Sequence, residues 1–361
     1  MSGIHHFVPV VHRGDAVGRH TLRLREATLA RGFESRIFVD VVEDDTAAET
    51  TSILEYPARA KPDDVLVYQF ATASYMAAWL AARSETLVIN YHNVTPPELI
   101  APWDAYLALG QQRAQSELRE MASRTTLAIA DSAFNEQHLA GLGYGATAVI
   151  PPSAALASDV MASPRVARRE GAATRGARWL SVGRLAPNKS VEDTIGALMV
   201  ARAHQDPDAT LTVIGRPITA SYGAALRRYV TELGLDRAVT FLSRADDATV
   251  AKAYDEADVL VVTSEHEGFC VPVVEAMTAG LPVVAFAQGA LPEVLGSAGV
   301  IVDAKNPYTL AATISALVAD VPRRDAVVGA GVARTHELGL DTAAERFVDL
   351  LSDVAARGPA R

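Results

Sequence analysis

One cysteine, Cys270, is present in 361 residues. An internal disulfide is therefore excluded, as is a metal site built from clustered cysteines. Long apolar runs are absent: no stretch approaches the ~18 uninterrupted apolar residues of a membrane-spanning helix. The opening residues, MSGIHHFVPVVHRGD, carry no basic region followed by a long apolar run. No secretory signal is read there, and a cytoplasmic location is expected. Positive charge is in deficit, with 33 lysines and arginines against 43 aspartates and glutamates, a net charge of −10. Binding to nucleic acid is not expected from that balance, nor general binding to an anionic bilayer. Arg13, Arg19, Arg23, Arg25 and Arg31 do cluster in one loop and helix, partly offset by Glu26. A solvated helix face accounts for them more simply than a diphosphate or a membrane surface, so peripheral membrane contact is not indicated. Tandem repeats are missing too, and so is low complexity beyond an alanine bias.

Composition otherwise describes a well-folded soluble chain, 49% apolar and 21% charged. Its length exceeds one ordinary core, so two domains are expected. In the first half, apolar runs predict strands over Ile4–Val10, Ser35–Asp40, Val65–Phe70, Leu87–Tyr91, Leu127–Ala130 and Ala146–Ile150. Helical patterns over Gly18–Arg31, Ala73–Arg83, Asp104–Arg124 and Asn135–Gly141 lie between them. In the second half the strands are Trp179–Val182, Leu211–Ile214, Val239–Leu242, Val259–Thr263, Val283–Phe286 and Val300–Val302. This alternation predicts α/β architecture, two Rossmann-like domains each built on a helix-wrapped parallel sheet. The expected boundaries are 1–155, a linker at 156–177 after Pro151-Pro152, a second domain at 178–340, and a final helix within 341–361. That helix has Ala344, Phe347, Leu351 and Val354 on one face.

The densest signal runs from Ser264 to Asp303. Glu267 and Glu275 stand eight positions apart, with Gly268-Phe269 and Pro272 between them. An apolar strand precedes this segment. Pro272 suits a first helical position, Gly280 a helix stop, and Pro282 blocks continuation. The predicted helix, Pro272–Ala279, would place the amides of Gly268, Phe269, Cys270 and Val271 at its mouth, with Glu275 in its first turn. Such a helix start receives anions, while carboxylates can hold hydroxyl groups. Cys270 reads as a small packed residue, because no His or Asn partner accompanies it as a nucleophile. Upstream, Ser181-Val-Gly-Arg-Leu-Ala-Pro-Asn-Lys189 follows a strand and carries two cations, Arg184 and Lys189. Ser190 is expected to cap the next helix, with Asp193 three residues on.

Together these two segments resemble the retaining glycosyltransferases of family four, which have the GT-B architecture: two Rossmann-like domains with parallel sheets facing across a cleft. The resemblance implies that Arg184 and Lys189 hold a donor diphosphate, that Glu267 contacts the transferred sugar, and that Glu275 holds the ribose. It implies a nucleotide sugar donor, a carbohydrate or lipid-linked acceptor, no cofactor and no metal. It also implies retention by same-face attack, without a protein nucleophile. The form Ser264-Glu-His-Glu-Gly-Phe-Cys-Val-Pro272 is similar to bacterial mannosyltransferases, so GDP-mannose is the first donor expected, with UDP-glucose and related donors open. In that family the final helix returns to the first domain.

Further candidates follow. His92, ending the strand Leu87–Tyr91, occupies a strand's carboxyl end, where ligands bind in open α/β sheets. In similar glycosyltransferases a histidine of this kind lies near the reacting sugar. Gly14, in the first β-loop, resembles the family's phosphate loop, although Asp15 follows it where a second glycine often stands. Asp15 could instead cap the next helix. Ser243, Arg244 and Arg216 are candidates for base recognition, and Gln69 and Ser132 for acceptor contact. Asp44-Asp45 and Asp246-Asp247 read as surface turns or caps, not as metal-holding pairs. Two other readings stay open: a nucleotide-sugar epimerase of the same architecture, and a non-catalytic sugar-nucleotide-binding protein.

Overall fold

The computed structural model of the chain describes residues 3–153 and 176–358. The linker expected at 156–177 lies outside the described residues except for Gly176 and Ala177. The chain divides into two compact units, one comprising Met1–Pro97, Tyr106–Ala154 and Gly339–Arg361, the other Glu98–Ala105 and Ala155–Leu338.

The first unit is built on strands β1 (Ile4–Val10), β2 (Ile37–Val41), β3 (Thr50–Ser52), β4 (Val65–Phe70), β5 (Thr86–Tyr91), β6 (Leu127–Ala130) and β7 (Thr147–Val149). They form one sheet in the order β3-β2-β1-β4-β5-β6-β7, and every pairing is parallel. Every residue of β4 and β5 is buried, as a parallel sheet covered on both faces requires. Strand β3 is not legible from its residues, Thr-Thr-Ser, which form no apolar run. It exists by pairing with β2 at the sheet edge, Ile37 opposite Thr50.

The helix Ala343–Arg357 packs on this same sheet, far from its neighbours in sequence. Phe347 and Leu351 are fully buried and join Ile4, Leu24, Val65, Val67, Val88 and Ile129 in one apolar cluster. Each such side chain contributes about 1.5–3 kcal/mol by leaving water.

The second unit has β8 (Arg178–Val182), β9 (Thr210–Ile214), β10 (Val239–Leu242), β11 (Val259–Val262), β12 (Val283–Phe286) and β13 (Val300–Val302). Their order is β10-β9-β8-β11-β12-β13, again with every pairing parallel. Both sheets follow the doubly wound order of a Rossmann fold, which reverses beside the first strand. Trp179, Ile195, Leu198, Leu211, Tyr222, Val261 and Ile314 are among the side chains of its core. Glu98–Ala105 clusters with this unit although it lies between β5 and β6 in sequence. The Trp103 ring meets Tyr222 edge-on at 4.9 Å.

Burial favours the neutral form of four histidines of the first unit, His5, His6, His20 and His138. His6 is pushed down to about 3, with His5 and Arg25 adding to the effect, and His20 falls well below its ordinary value. Burial lowers His5 as well, partly opposed by Asp64. Above about pH 6.5 the unfolded chain is neutral at these positions too, so no penalty arises. Below it, the unfolded chain takes up protons that folded His6 refuses until about pH 3. Stability therefore falls as pH drops from about 6.5, by about 1.4 kcal/mol per pH unit for His6. Thermal unfolding at pH 5.5 should begin well below the midpoint seen at pH 7.5, with His6→Gln flattening the dependence. A midpoint indifferent to pH would overturn this account.

Candidate functional site

Strands β8 and β11 are far apart in sequence but adjacent in the sheet, with Val259 opposite Trp179 and Leu260 opposite Leu180. The strand order reverses between them, and the loops leaving their carboxyl ends frame a crevice there. Ser181 at the end of β8 lines it, with Gly183, Arg184 and Lys189 from one loop and Thr263, Ser264, Glu267 and Cys270 from the other.

Asn188 stitches the two loops together. Its carbonyl accepts from Glu265 N (2.8 Å), and its Nδ2 donates to His266 O (3.2 Å). Thr263 Oγ1 donates to Ser190 O (2.8 Å). Glu267 is pinned through its own carbonyl, which accepts from Ala290 N (3.0 Å). Gly289 makes that approach feasible: its φ is +58°, and a Cβ there would overlap Glu267 O.

The charged groups differ in their partners. Lys189 Nζ donates to Glu267 Oε1 at 2.6 Å, and Ser264 Oγ donates to the same oxygen at 2.7 Å. Glu267 is buried, and Lys189 is half-buried. Arg184 is exposed and has no hydrogen-bond or ion-pair partner among the described residues. Lys305, from the loop after β13, pairs with Asp193 (2.7 Å) and Glu265 and donates to Thr263 O (3.3 Å). No local pattern in the sequence marks Lys305 or Tyr254. Ser264 and Asn188 do stand within the two motifs, and only their hydrogen bonds give them roles.

Two local expectations are corrected. The helix starts at Val271, one residue early, so Glu275 is its fifth residue and lies beyond the first turn. Glu275 is buried, and its Oε2 accepts from Tyr254 Oη at 2.8 Å. Ser190 precedes the helix Val191–His204 in a left-handed conformation, φ +47°, and makes no capping bond. Its hydroxyl instead donates to Pro187 O (3.3 Å), because the loop turns sharply to present Lys189.

Gly268, Phe269, Cys270 and Val271 lead into the helix Val271–Thr278. Cys270 is the residue that turns the chain, at φ +76°. Burial, and then the Glu267 carboxylate, push its thiol well above the ordinary value, so it stays protonated. That agrees with a packed residue. Ser243 accepts a long bond from Arg227 (3.4 Å), and Arg244 and Arg216 are exposed. None of these three lines the crevice. Asp246 caps the helix Asp247–Glu256 through Thr249 N (2.8 Å).

His92 and Gly14 belong to the first unit. Both His92 nitrogens are engaged inside it, Nδ1 with Asp131 Oδ2 (2.9 Å) and Nε2 with Gln69 Oε1 (2.8 Å). Asn90 also donates to Gln69 Oε1 (2.9 Å). Ser132 caps the helix Ala133–Gly141 through Asn135 N (3.1 Å). Gly14 is exposed in the loop after β1, where Asp15 caps the following helix through Gly18 N (2.6 Å).

Two doubly wound parallel sheets define a protein of GT-B architecture. The chain belongs to the family described as glycosyl transferases group 1. That family's profile matches residues 164–331. The D-inositol 3-phosphate glycosyltransferase of Geodermatophilus obscurus is 31% identical over 323 residues, 84% of this chain and 69% of that protein. The D-inositol 3-phosphate glycosyltransferase of Thermomonospora curvata is 31% identical over 181 residues, so the match spans 41% of its length and 47% of this chain. Among solved structures, sucrose-phosphate synthase from Thermosynechococcus elongatus superposes with a TM-score of 0.77 at 21% identity, covering 98% of this chain and 100% of that one. Anabaena HepE in complex with UDP-glucose does so at 0.74 and 20%, covering 97% and 99%. At such identities these likenesses are of fold. No helix among the described residues is long and apolar enough to cross a membrane.

Proposed function

We propose that the protein transfers a hexose from a nucleoside diphosphate sugar to an acceptor hydroxyl, with retention at the anomeric carbon. One observation carries this reading: Arg184, Lys189, Glu267 and Ser264 converge at the switch point of the second sheet, beside a helix start. Arg184 and Lys189 neutralise the departing diphosphate, and the amides of Phe269–Val271 face donor oxygens. Glu267 orients the sugar, and Glu275 holds the ribose. The bond from the anomeric carbon to phosphate oxygen breaks, and the acceptor oxygen bonds to the same face. The acceptor's proton passes to the departing phosphate. No metal takes part, because the two cations and the helix start carry the developing charge.

GDP-mannose and UDP-glucose are the donors to try first, the second because HepE was solved with UDP-glucose. Ser243 and Arg244 are the candidates for reading the base. The names of the curated relatives support a small polyol phosphate as an acceptor to test beside carbohydrate and lipid-linked ones.

Labelled donors, incubated with and without acceptor, should release free nucleoside diphosphate most strongly when acceptor is present, and EDTA should not reduce the rate. Return of an altered sugar nucleotide would make the protein an epimerase. Binding without turnover of any donor would make it a binding protein. A thermal-shift screen against GDP, UDP and ADP identifies the base, since a ligand of the native state raises stability by mass action.

A further inference from the structure

We infer that Lys189 serves Glu267 and the donor diphosphate in turn, so that diphosphate binding releases Glu267 to the sugar while Ser264 holds it in place. This rests on the function proposed above. Lys189 and Ser264 meet the same oxygen of Glu267, at 2.6 and 2.7 Å. A diphosphate at this crevice asks for the same ammonium. The side chains can exchange partners without any backbone movement, because both loops are anchored. Asn188 joins them, Ala290 N holds the Glu267 carbonyl, and Lys305 occupies the neighbouring carboxylate of Glu265. Lysine suits the exchange, being a point charge on a flexible stem. Arg184, exposed and without a partner among the described residues, offers the incoming anion its first contact.

Once Lys189 turns to phosphate, Glu267 keeps the Ser264 hydroxyl. That bond makes Ser264 a positioning residue: it fixes the carboxylate without touching the diphosphate. Glu267 is then both a ligand for the sugar and a competitor of the diphosphate. The two roles predict opposite signs for one substitution, which an additive set of donor contacts does not.

The test is isothermal titration of the full chain with UDP and with GDP, paired with turnover measurements. Glu267→Gln should bind the nucleoside diphosphate about tenfold tighter than wild type while its kcat falls by at least about tenfold. In a Lys189→Met background the same change should leave nucleoside diphosphate affinity unaltered, which closes a double-mutant cycle on the pair. Ser264→Ala should lower kcat with nucleoside diphosphate affinity unchanged, and Ser264→Thr should restore it. Unchanged or weaker nucleoside diphosphate binding by Glu267→Gln overturns the exchange. Should that variant lose its circular dichroism spectrum, Glu267→Ala is titrated instead, and the same sign is required. If wild type binds no nucleoside diphosphate at all, the proposed function itself fails.

Discussion

Lys189→Ala is expected to lower kcat by on the order of 10²-fold or more, with the fold intact. A diphosphate leaving group gains negative charge as its bond to the sugar breaks. A cation placed there acts most strongly in the transition state, so the loss falls on kcat and not only on KM. Lys189 sits on a loop anchored through Asn188, so its removal deletes a charge without dismantling a strand or helix. The substitution also leaves buried Glu267 with the Ser264 hydroxyl and no cation. A modest fall in the thermal midpoint is therefore expected beside the kinetic loss. Circular dichroism should match wild type. Full activity with an unchanged spectrum would remove Lys189 from the site.

Glu275→Ala is the second large effect, again on the order of 10²-fold or more in kcat/KM. Glu275 is buried and bonded to Tyr254, so a loss of activity has two explanations. It could report a missing donor contact, or a helix displaced because the Tyr254 hydroxyl has lost its short bond to Glu275, although Pro272 O still accepts from it at 3.3 Å. Tyr254→Phe separates them. Removing that hydroxyl deletes one buried hydrogen bond to Glu275 Oε2, at a cost of about 1–3 kcal/mol in stability. It leaves the carboxylate itself in place. If Glu275 acts on the donor, Tyr254→Phe lowers the thermal midpoint yet keeps turnover within about tenfold of wild type. If both variants lose activity equally, Glu275 is a structural residue of the helix and the ribose assignment falls.

Much of the fold was legible because its elements are local. β1, β4, β6, β10, β12 and β13 have the ends that their apolar runs predict. In β6 and β12 the run is unbroken because nearly every residue is buried in a parallel sheet covered on both faces. β3 was invisible, since an edge strand of Thr-Thr-Ser owes its form to β2. Ser190 misled for a related reason. A Ser–Asp spacing at a helix start implies a capping box only when the serine is extended, and here the turn after Lys189 holds it at positive φ. Glu275 was placed one residue too early in its helix because Pro272 marks a helix start only to within a residue. Tyr254 gave no sign of its role, because its partner lies in another element.

By itself the sequence determined the alternation of strands and helices, the two-sheet class, and the two motifs that carry Arg184, Lys189, Glu267 and Glu275. Those follow from residue order over short distances: burial period, helix stops, and charge beside strand ends. Only the tertiary structure decided that β8 and β11 lie side by side, bringing the two motifs to one crevice, and that Lys189, Ser264 and Glu267 share a single oxygen. It also decided that the helix Ala343–Arg357 covers the first sheet and that Lys305 locks Glu265. Such pairings depend on which distant apolar surfaces bury one another, and no local spacing records that choice.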